Sequence, residues 1–591
     1  MKKLLCILMS AALLLSGCGI LEDTAPTTSS TTAATKPTTN NPPTGDSEPV
    51  SVDFAKTDAD LFTDRDSRAD YDADKAVVIQ LNGDSVTCNS AAVKVEGTAV
   101  TIGKKGTYIL QGELKNGSVT VDAGVNDKVQ LVLNGVQINS AASAALLISG
   151  GDKVFVTLAK GSENTLSNEG GFTDSVDGAV FSRQDLSFNG EGSLTVESPA
   201  GHGIVCKDDL VITGGNYSIR AASHGVDVND SFRMNGGTMK MDTGKDGIHA
   251  EDNDNTETGF VYISGGTLEI EAEGDGISAA YTMQIAGGTM NILAGGGYQN
   301  GANHSSDNWG DFMGGKPPRP RAVTATEESG TSMKGLKAKG GLLISDGIIT
   351  LDSADDGIHS GTLTVINGGT VKIASGDDGI HADSDLTITA GTVDITNSYE
   401  GLEALNVRLT GGKISMVTSD DGINAAGGTD DSGNGGRDEM FGGPGGTGGA
   451  SNGSIIIDGG DLYIQASGDG IDANGRLEIN GGKTVVCGPN SGDTATLDFD
   501  VSGTINGGVF IGTGSSFMAQ SFSGNQQGVL AVRMGNNSGV TITVTDQQGN
   551  VLLTHQPDLD FSVFIFSTPE LVAGQTYHIT VGDTEGNVEA Y

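Results

Sequence analysis

The stretch 351–372 reads LDSADDGIHSGTLTVINGGTVK and is followed by IASGDDGIHADSDLTITAGTVD (373–394). Next come ITNSYEGLEALNVRLTGGKIS (395–415) and MVTSDDGINAA (416–426). The lines superpose with a period of about 22 residues, the mark of a supersecondary unit that buries its apolar face only by stacking on its neighbours. Within a unit, apolar and polar residues alternate over short runs: Ile358-His359-Ser360, Leu363-Thr364-Val365 and Val371-Lys372-Ile373. That is strand periodicity, and no run is long enough for a helix. Short strands separated by Gly-rich corners such as Asn367-Gly368-Gly369-Thr370 describe one coil of a parallel β-helix. Parallel crossovers are overwhelmingly right-handed. The expected fold is therefore all-β, a right-handed parallel β-helix with about 22 residues per coil.

Stacking places equivalent positions of successive coils ~4.8 Å apart. Asp356, Asp378, Glu400 and Asp421 then form one column, with Asp355, Asp377, Tyr399 and Asp420 beside it. Two unit charges at that spacing repel by about 0.9 kcal/mol even in water, and by more where water is partly excluded. A solvated acidic corner with Asx-turn hydrogen bonds is one answer to that repulsion. Hard cations between the coils are the other, because calcium takes six to eight oxygen ligands of the kind paired carboxylates and corner carbonyls provide.

Outward from this core, residues 1–18 read as an export signal. Lys2 and Lys3 precede an apolar run from Leu4 to Leu15, and Leu15-Ser16-Gly17-Cys18 reads as a lipoprotein cleavage site. The run is too short for a permanent membrane span. Its similarity to bacterial lipoproteins implies lipidation of Cys18, with the membrane engaged through that anchor and the bulk extracytoplasmic. Residues 19–60 are rich in Thr, Ser and Pro and are expected to be a disordered tether. The β-helix is expected over 75–520, interrupted by insertions at 295–332 and 427–453.

The formal charge of −42 argues against nucleic acid and anionic lipid as partners and is compatible with cation binding. Glycine contributes 92 residues, mostly as GG pairs between alternating strands, so the chain is not a low-complexity tract. Beyond Cys6 and Cys18, the cysteines are Cys88, Cys206 and Cys487, odd in number and without metal-type spacing. Cys206 stands at an inward small-residue position and reads as a buried hydrophobe.

Residues 75–168 carry strand signals without the DGI corner and are expected to be the first coils with their cap. The corner then emerges as Asp177-Gly178, His202-Gly203-Ile204, His224-Gly225-Val226, Asp246-Gly247-Ile248 and Asp275-Gly276-Ile277. His202 and His224 thus stand where later coils carry a carboxylate, either as corner hydrogen-bonders or as a switch to ligand contact. The period resumes after the second insertion with Asp469-Gly470-Ile471-Asp472. The first insertion contains the single tryptophan, Trp309, suited to stacking on a sugar ring. The tail, 525–591, has a different alternation and is expected to form a small antiparallel β cap over the last coil.

DDGIHAD, SYEGLEA and DDGINAAGG, with GTYILQG and LVLNGV upstream, resemble the bacterial carbohydrate-binding-domain-containing proteins. The resemblance implies a secreted right-handed parallel β-helix, related in fold to pectate lyases. It further implies binding of cellulose-like polysaccharide or polygalacturonate with more than one bound calcium ion. Metal ligands so implied are Asp355, Asp356, Asp377, Asp378, Glu400, Glu403, Asp420, Asp421 and Asn424. His359, His381, Trp309 and Tyr399 are the expected ligand contacts. One departure is Lys334-Gly-Leu-Lys-Ala338, where lysine replaces the corner carboxylate. Calcium-dependent elimination needs a base near the metal, which makes Lys334 and Lys337 the lyase candidates. Their alternative role is to neutralise the end of the acidic column. Hydrolysis by a carboxylate pair is disfavoured, since a ladder repeats one group and hydrolysis needs two in distinct environments. The reading is thus a monomeric, surface-anchored polysaccharide binder, with a pectate-lyase-like eliminase, or a stalk or adhesin, as alternatives.

Overall fold

The alternation of inward and outward residues is realised as strands that hydrogen-bond in parallel to the segment one repeat further on. In this computed structural model, Ile358–Ser360 pairs in parallel with Ile380, His381 and Ala382, and these pair with Leu402, Glu403 and Ala404. Leu363–Ser375 likewise pairs along its length with Ile380–Ser398. The structure describes residues 54, 56–172, 176–252, 255, 258–301, 332–426, 452–489 and 494–591. Among these the chain is nearly all strand, with one α-helical turn at Asp58–Leu61 and one 3-10 turn at Tyr298–Asn300. No helix there is long and apolar enough to cross a membrane.

The inward column expected from the repeat is present. Ile358, Ile380, Leu402, Ile423 and Ile471 are each fully buried in register, one above the other. Two kinds of glycine make the corners. At Gly391 the backbone takes φ 91°, and an added Cβ would come 2.6 Å from the Gly368 carbonyl oxygen. That combines a left-handed backbone with contact between stacked corners, so only glycine fits. At Gly379, directly after the acidic corner, a Cβ would meet the Gly401 carbonyl oxygen at 2.6 Å. The close approach lets each corner amide reach across: Gly357 donates to the Asp378 carbonyl at 2.8 Å and Gly379 to that of Glu400 at 2.9 Å.

At the start of the stack, Val77–Gly83 pairs in parallel with Gly106–Leu114. Two antiparallel pairings, Val77–Gly83 with Val86–Thr87 and Val93–Glu96 with Ala99–Ile102, close that end. At the other end Phe561–Ser567 runs antiparallel to both Val509–Gly514 and Val529–Asn537. A separate four-stranded sheet in the tail is antiparallel throughout. Its side chains Ile542 and Tyr577, with Phe564, pack with Val485, Cys487 and Ile511 in a second apolar cluster. Cys206 is fully buried, as its position in the repeat implies.

The tether expectation needs correction at its end. Residues 56–60 are not loose: the Lys56 carbonyl accepts from Gln284 at 3.2 Å, and Asp58 accepts from the Tyr262 hydroxyl at 2.9 Å. The chain continues across the outer surface to Asp66, which is buried. There Lys153 pairs with Asp66 at 2.9 Å, and the Ser187 hydroxyl donates to it at 2.5 Å. The physical reason is that the anchoring is mostly polar, with only Leu61 buried and Phe62 against the Tyr262 ring to add apolar contact, so no periodic hydrophobic pattern marks it in the sequence. The export signal, Cys18, Trp309 and most of both insertions lie outside the described residues.

Candidate functional site

The corner column is laid out by the backbone ladder, and its carboxylates serve that ladder first. One oxygen of each accepts the corner amide of the next coil: Asp246 from Asp275 at 2.9 Å, Asp356 from Asp378 at 3.2 Å and Asp378 from Glu400 at 3.2 Å. Asp421 accepts from Asp469 in the same way, across the second insertion. The column is therefore not a solvated face. Asp355, Asp356, Asp378 and Glu400 are all buried, Asp356 completely. Beside it, Asp377, Tyr399 and Asp420 follow one another by backbone hydrogen bonds of 2.8 and 3.0 Å. The Tyr399 phenol is held protonated by burial and by its hydrogen bond to Asp420.

A second row, two residues after each corner glycine, faces the column from the neighbouring strand. Lys337, His359, His381, Glu403, Asn424 and Asp472 stand in register there. The rows meet differently along the stack. In the middle, Lys334 Nζ lies 3.1 Å from Asp355 Oδ1 and 2.5 Å from Asp356 Oδ2. His359 Nδ1 is 2.9 Å from the same Asp356 oxygen. Burial pushes the Asp356 pKa up, but the Lys334 ammonium and His359 outweigh it and hold the carboxyl well below the usual range. Lys337 reaches Asp275 at 3.4 Å and hydrogen-bonds Ser332 at 2.9 Å. His381 is buried among Asp378 at 3.5 Å, Asp383 at 3.3 Å and Glu403. Although its burial opposes charge, hydrogen bonds to these three carboxylates raise its pKa well above the ordinary value.

Further along, the positive partners stop. Among the described residues no lysine or arginine faces Glu400, Asp421, Asp469 or Asp472. Burial, then neighbouring carboxylates, raise Glu400 and Asp421 well above normal, and carry Asp469 to about 7 and Asp472 to about 6. Asn424 donates to Glu400 Oε1 at 3.0 Å, which leaves two buried oxygens, Glu400 Oε2 and Asn424 Oδ1, without a hydrogen-bond partner. Ligand oxygens of Asp421, Asp469 and Asp472 lie within 4.8 Å of one another. An all-oxygen set with orphaned buried acceptors fits a hard cation.

Asp469 and Asp472 were not among the ligands expected from sequence. Their coil follows the second insertion, so they sit 48 residues after Asp421 and Asn424 instead of 22, although the DGID motif itself was readable. Conversely, Lys334 occupies the cleft between Asp355 and Asp356, where a metal ion was expected.

Next to the corner, the outward side chains of the preceding strands line an open trough of about 650 Å³. Thr195, Ser218, Lys240, Glu269, Asn291 and Thr350 follow one another along it. Six rungs span ~24 Å. At its rim Asp352 accepts the Tyr298 amide at 2.7 Å, fixing the first residues of the 295–332 insertion beside the trough.

Buried acid column and polar trough are the setting for the comparisons with known proteins. Residues 96–379 match the family model of the carbohydrate-binding domain-containing protein. A curated protein of that description from Acetivibrio thermocellus is 34% identical over 157 residues, 26% of this chain. The chain spans about half, 52%, of that relative's length. A solved structure, described as the polysaccharide lyase-like protein from C. thermocellum in a gadolinium derivative, is 31% identical. It matches 37% of this chain and 92% of its own, with a TM-score of 0.36.

Proposed function

We propose that this chain is a polysaccharide-binding protein built as a right-handed parallel β-helix, and that calcium bound at its acidic end helps to hold the glycan. The observation that carries this reading is the set Glu400, Asp421, Asp469 and Asp472, which no lysine or arginine faces among the described residues, together with two orphaned buried oxygens. Glu400, Glu403, Asp421, Asn424, Asp469 and Asp472 would hold the ion, with Asp377, Asp378 and Asp420 adjoining. When bound, calcium would supply positive charge that offsets the column and attracts an anionic glycan. The match to carbohydrate-binding domains supports a polysaccharide partner, cellulose-like or polygalacturonate. The trough supports an extended chain lying along the stack.

In this reading the protein is exported, lipidated on Cys18 and displayed at the cell surface. His359, His381, Tyr399 and Trp309 are proposed as contributors around the glycan. His381 is nearly inaccessible, so its part is to hold Asp378, Asp383 and Glu403 in place. Lys334 and Lys337 are ion-paired with Asp355, Asp356 and Asp275, which favours binding over elimination. Retention on insoluble polygalacturonate and cellulose, with calcium and with chelator, tests the reading. Chelator-sensitive retention is expected, and indifference to both matrices would overturn it.

A further inference from the structure

The same two rows change chemistry at the other end of the corner column. There the corner position is His202, then His224, then Asp246, and the facing row brings His249. The imidazoles stack face to face, His202 on His224 at 5.1 Å and His224 on His249 at 4.4 Å. Both His224 Nδ1 and His249 Nδ1 point at one atom, Asp246 Oδ2, at 3.4 and 2.9 Å. All three ligand atoms lie within 4.8 Å of one another.

We propose that His224, Asp246 and His249 form a second cation site that takes a transition-metal ion of the zinc class. Four observations support it. Nitrogen donors select zinc-like ions over calcium, which prefers oxygen alone. Bonds of ~2.0–2.1 Å in a tetrahedron set ligand atoms ~3.3 Å apart, and the two nitrogen-to-Asp246 separations bracket that value. The far nitrogen of His249 is oriented by a carboxylate, Glu251 Oε2 at 3.2 Å, the usual second partner of a metal-binding imidazole. Glu251 is itself held by Lys339. Lastly, His202 in the preceding coil, whose ring stacks on His224, has a buried Nδ1 without a hydrogen-bond partner. Side-chain exposures of 13% for His224 and 22% for His249 leave the ion a path from solvent.

On binding, the proton shared between His249 Nδ1 and Asp246 is displaced to solvent, and His224 exchanges the Asp246 amide, now 3.2 Å away, for the ion. The site stands apart from the acidic end and does not depend on its occupancy. Titration of the full-length protein with cobalt(II), read by visible absorption, and with zinc by calorimetry tests it. One equivalent should bind with a tetrahedral nitrogen–oxygen spectrum, unchanged by millimolar calcium. His249→Ala should weaken binding at least 100-fold with unchanged circular dichroism. Glu251→Gln, which leaves all three ligands in place, should weaken it about 10-fold. Absence of binding, displacement by calcium, or equal affinity in His249→Ala and Glu251→Gln would overturn the assignment.

Discussion

The Nζ of Lys334 sits 2.5 Å from Oδ2 of Asp356, and both side chains are buried. This pair belongs to the part of the column that has cationic partners, which extends as far as His381 with Asp378, Asp383 and Glu403; among the described residues no lysine or arginine faces Glu400, Asp421, Asp469 or Asp472. An ammonium here does for one coil what a bound cation would do for the later ones. Lys334→Met should therefore take the ammonium away from two buried carboxylates, Asp355 and Asp356, and lower stability by about 3–5 kcal/mol. Saturating calcium should recover part of that loss, and recover more in Lys334→Met than in the parent. Thermal melts of both proteins with calcium and with chelator check this; equal calcium shifts would refute the substitution of one cation for another.

Ile380 lies fully buried between Ile358 and Leu402 in the inward column. Ile380→Asp places an unpaired charge in the middle of the apolar stack and should cost several kcal/mol. Ile380→Val should cost about 1 kcal/mol. Chemical denaturation measures both, and a charge tolerated as well as valine would contradict the register.

The acidic end should make the metal-free protein pH-sensitive. Burial and like charges lift Asp469 to about 7 and Asp472 to about 6, above the ~4 of an unfolded chain. Groups raised on folding take up protons as the chain folds, so their penalty is full above pH 7 and is relieved as pH falls toward 4. A tenfold difference in proton affinity between folded and unfolded chain corresponds to about 1.4 kcal/mol, so the total gain is on the order of a few kcal/mol. In chelator, melting temperature should rise between pH 8 and pH 5. Calcium should flatten that slope by stabilising the ionised form. A chelated protein that melts higher at pH 8 than at pH 5 would contradict the burial of these carboxylates.

Calcium should raise the melting temperature at neutral pH, since a ligand bound only by the folded state stabilises by mass action. Asp421→Asn with Asp469→Asn removes two of the carboxylates within 4.8 Å of one another. The double variant should melt higher than the parent in chelator, because like-charge repulsion is gone, and should respond little to calcium. Calorimetric scans separate these two effects, and an undiminished calcium response would move the ion elsewhere.

Much of this was legible where chemistry repeats. Ile358, Ile380, Leu402 and Ile423 recur at the period, so their stacking follows from the spacing, and so does the acidic column. Lys334 was readable as a neutraliser because it replaces a carboxylate in the motif. What was hidden depends on long-range polar contacts or on interrupted period. Asp66 finds Lys153 and Ser187 far away in sequence, and a buried aspartate leaves no hydrophobic signature. Asp469 and Asp472 were displaced by an insertion, and the shared focus of His224 and His249 on Asp246 appears only once corner and facing rows are superposed.

The last prediction separates binding from elimination. A lyase of this design would need a neutral amine beside the calcium to take the proton α to a uronate carboxylate. Lys337 is the more exposed candidate, with its Nζ at 3.4 Å from Asp275 and 2.9 Å from the Ser332 hydroxyl. Both contacts engage its Nζ with protein oxygens rather than leaving it directed at a substrate. Lys334 is enclosed by Asp355 and Asp356 and is less available still. Polygalacturonate should therefore be retained in calcium without release of unsaturated, ultraviolet-absorbing oligosaccharides, even at alkaline pH. Lys337→Ala should change retention by less than about threefold, since the proposed calcium ligands lie several coils away. Unsaturated products made by the parent and abolished in Lys337→Ala would establish a lyase and displace the binding role to a step of its catalysis.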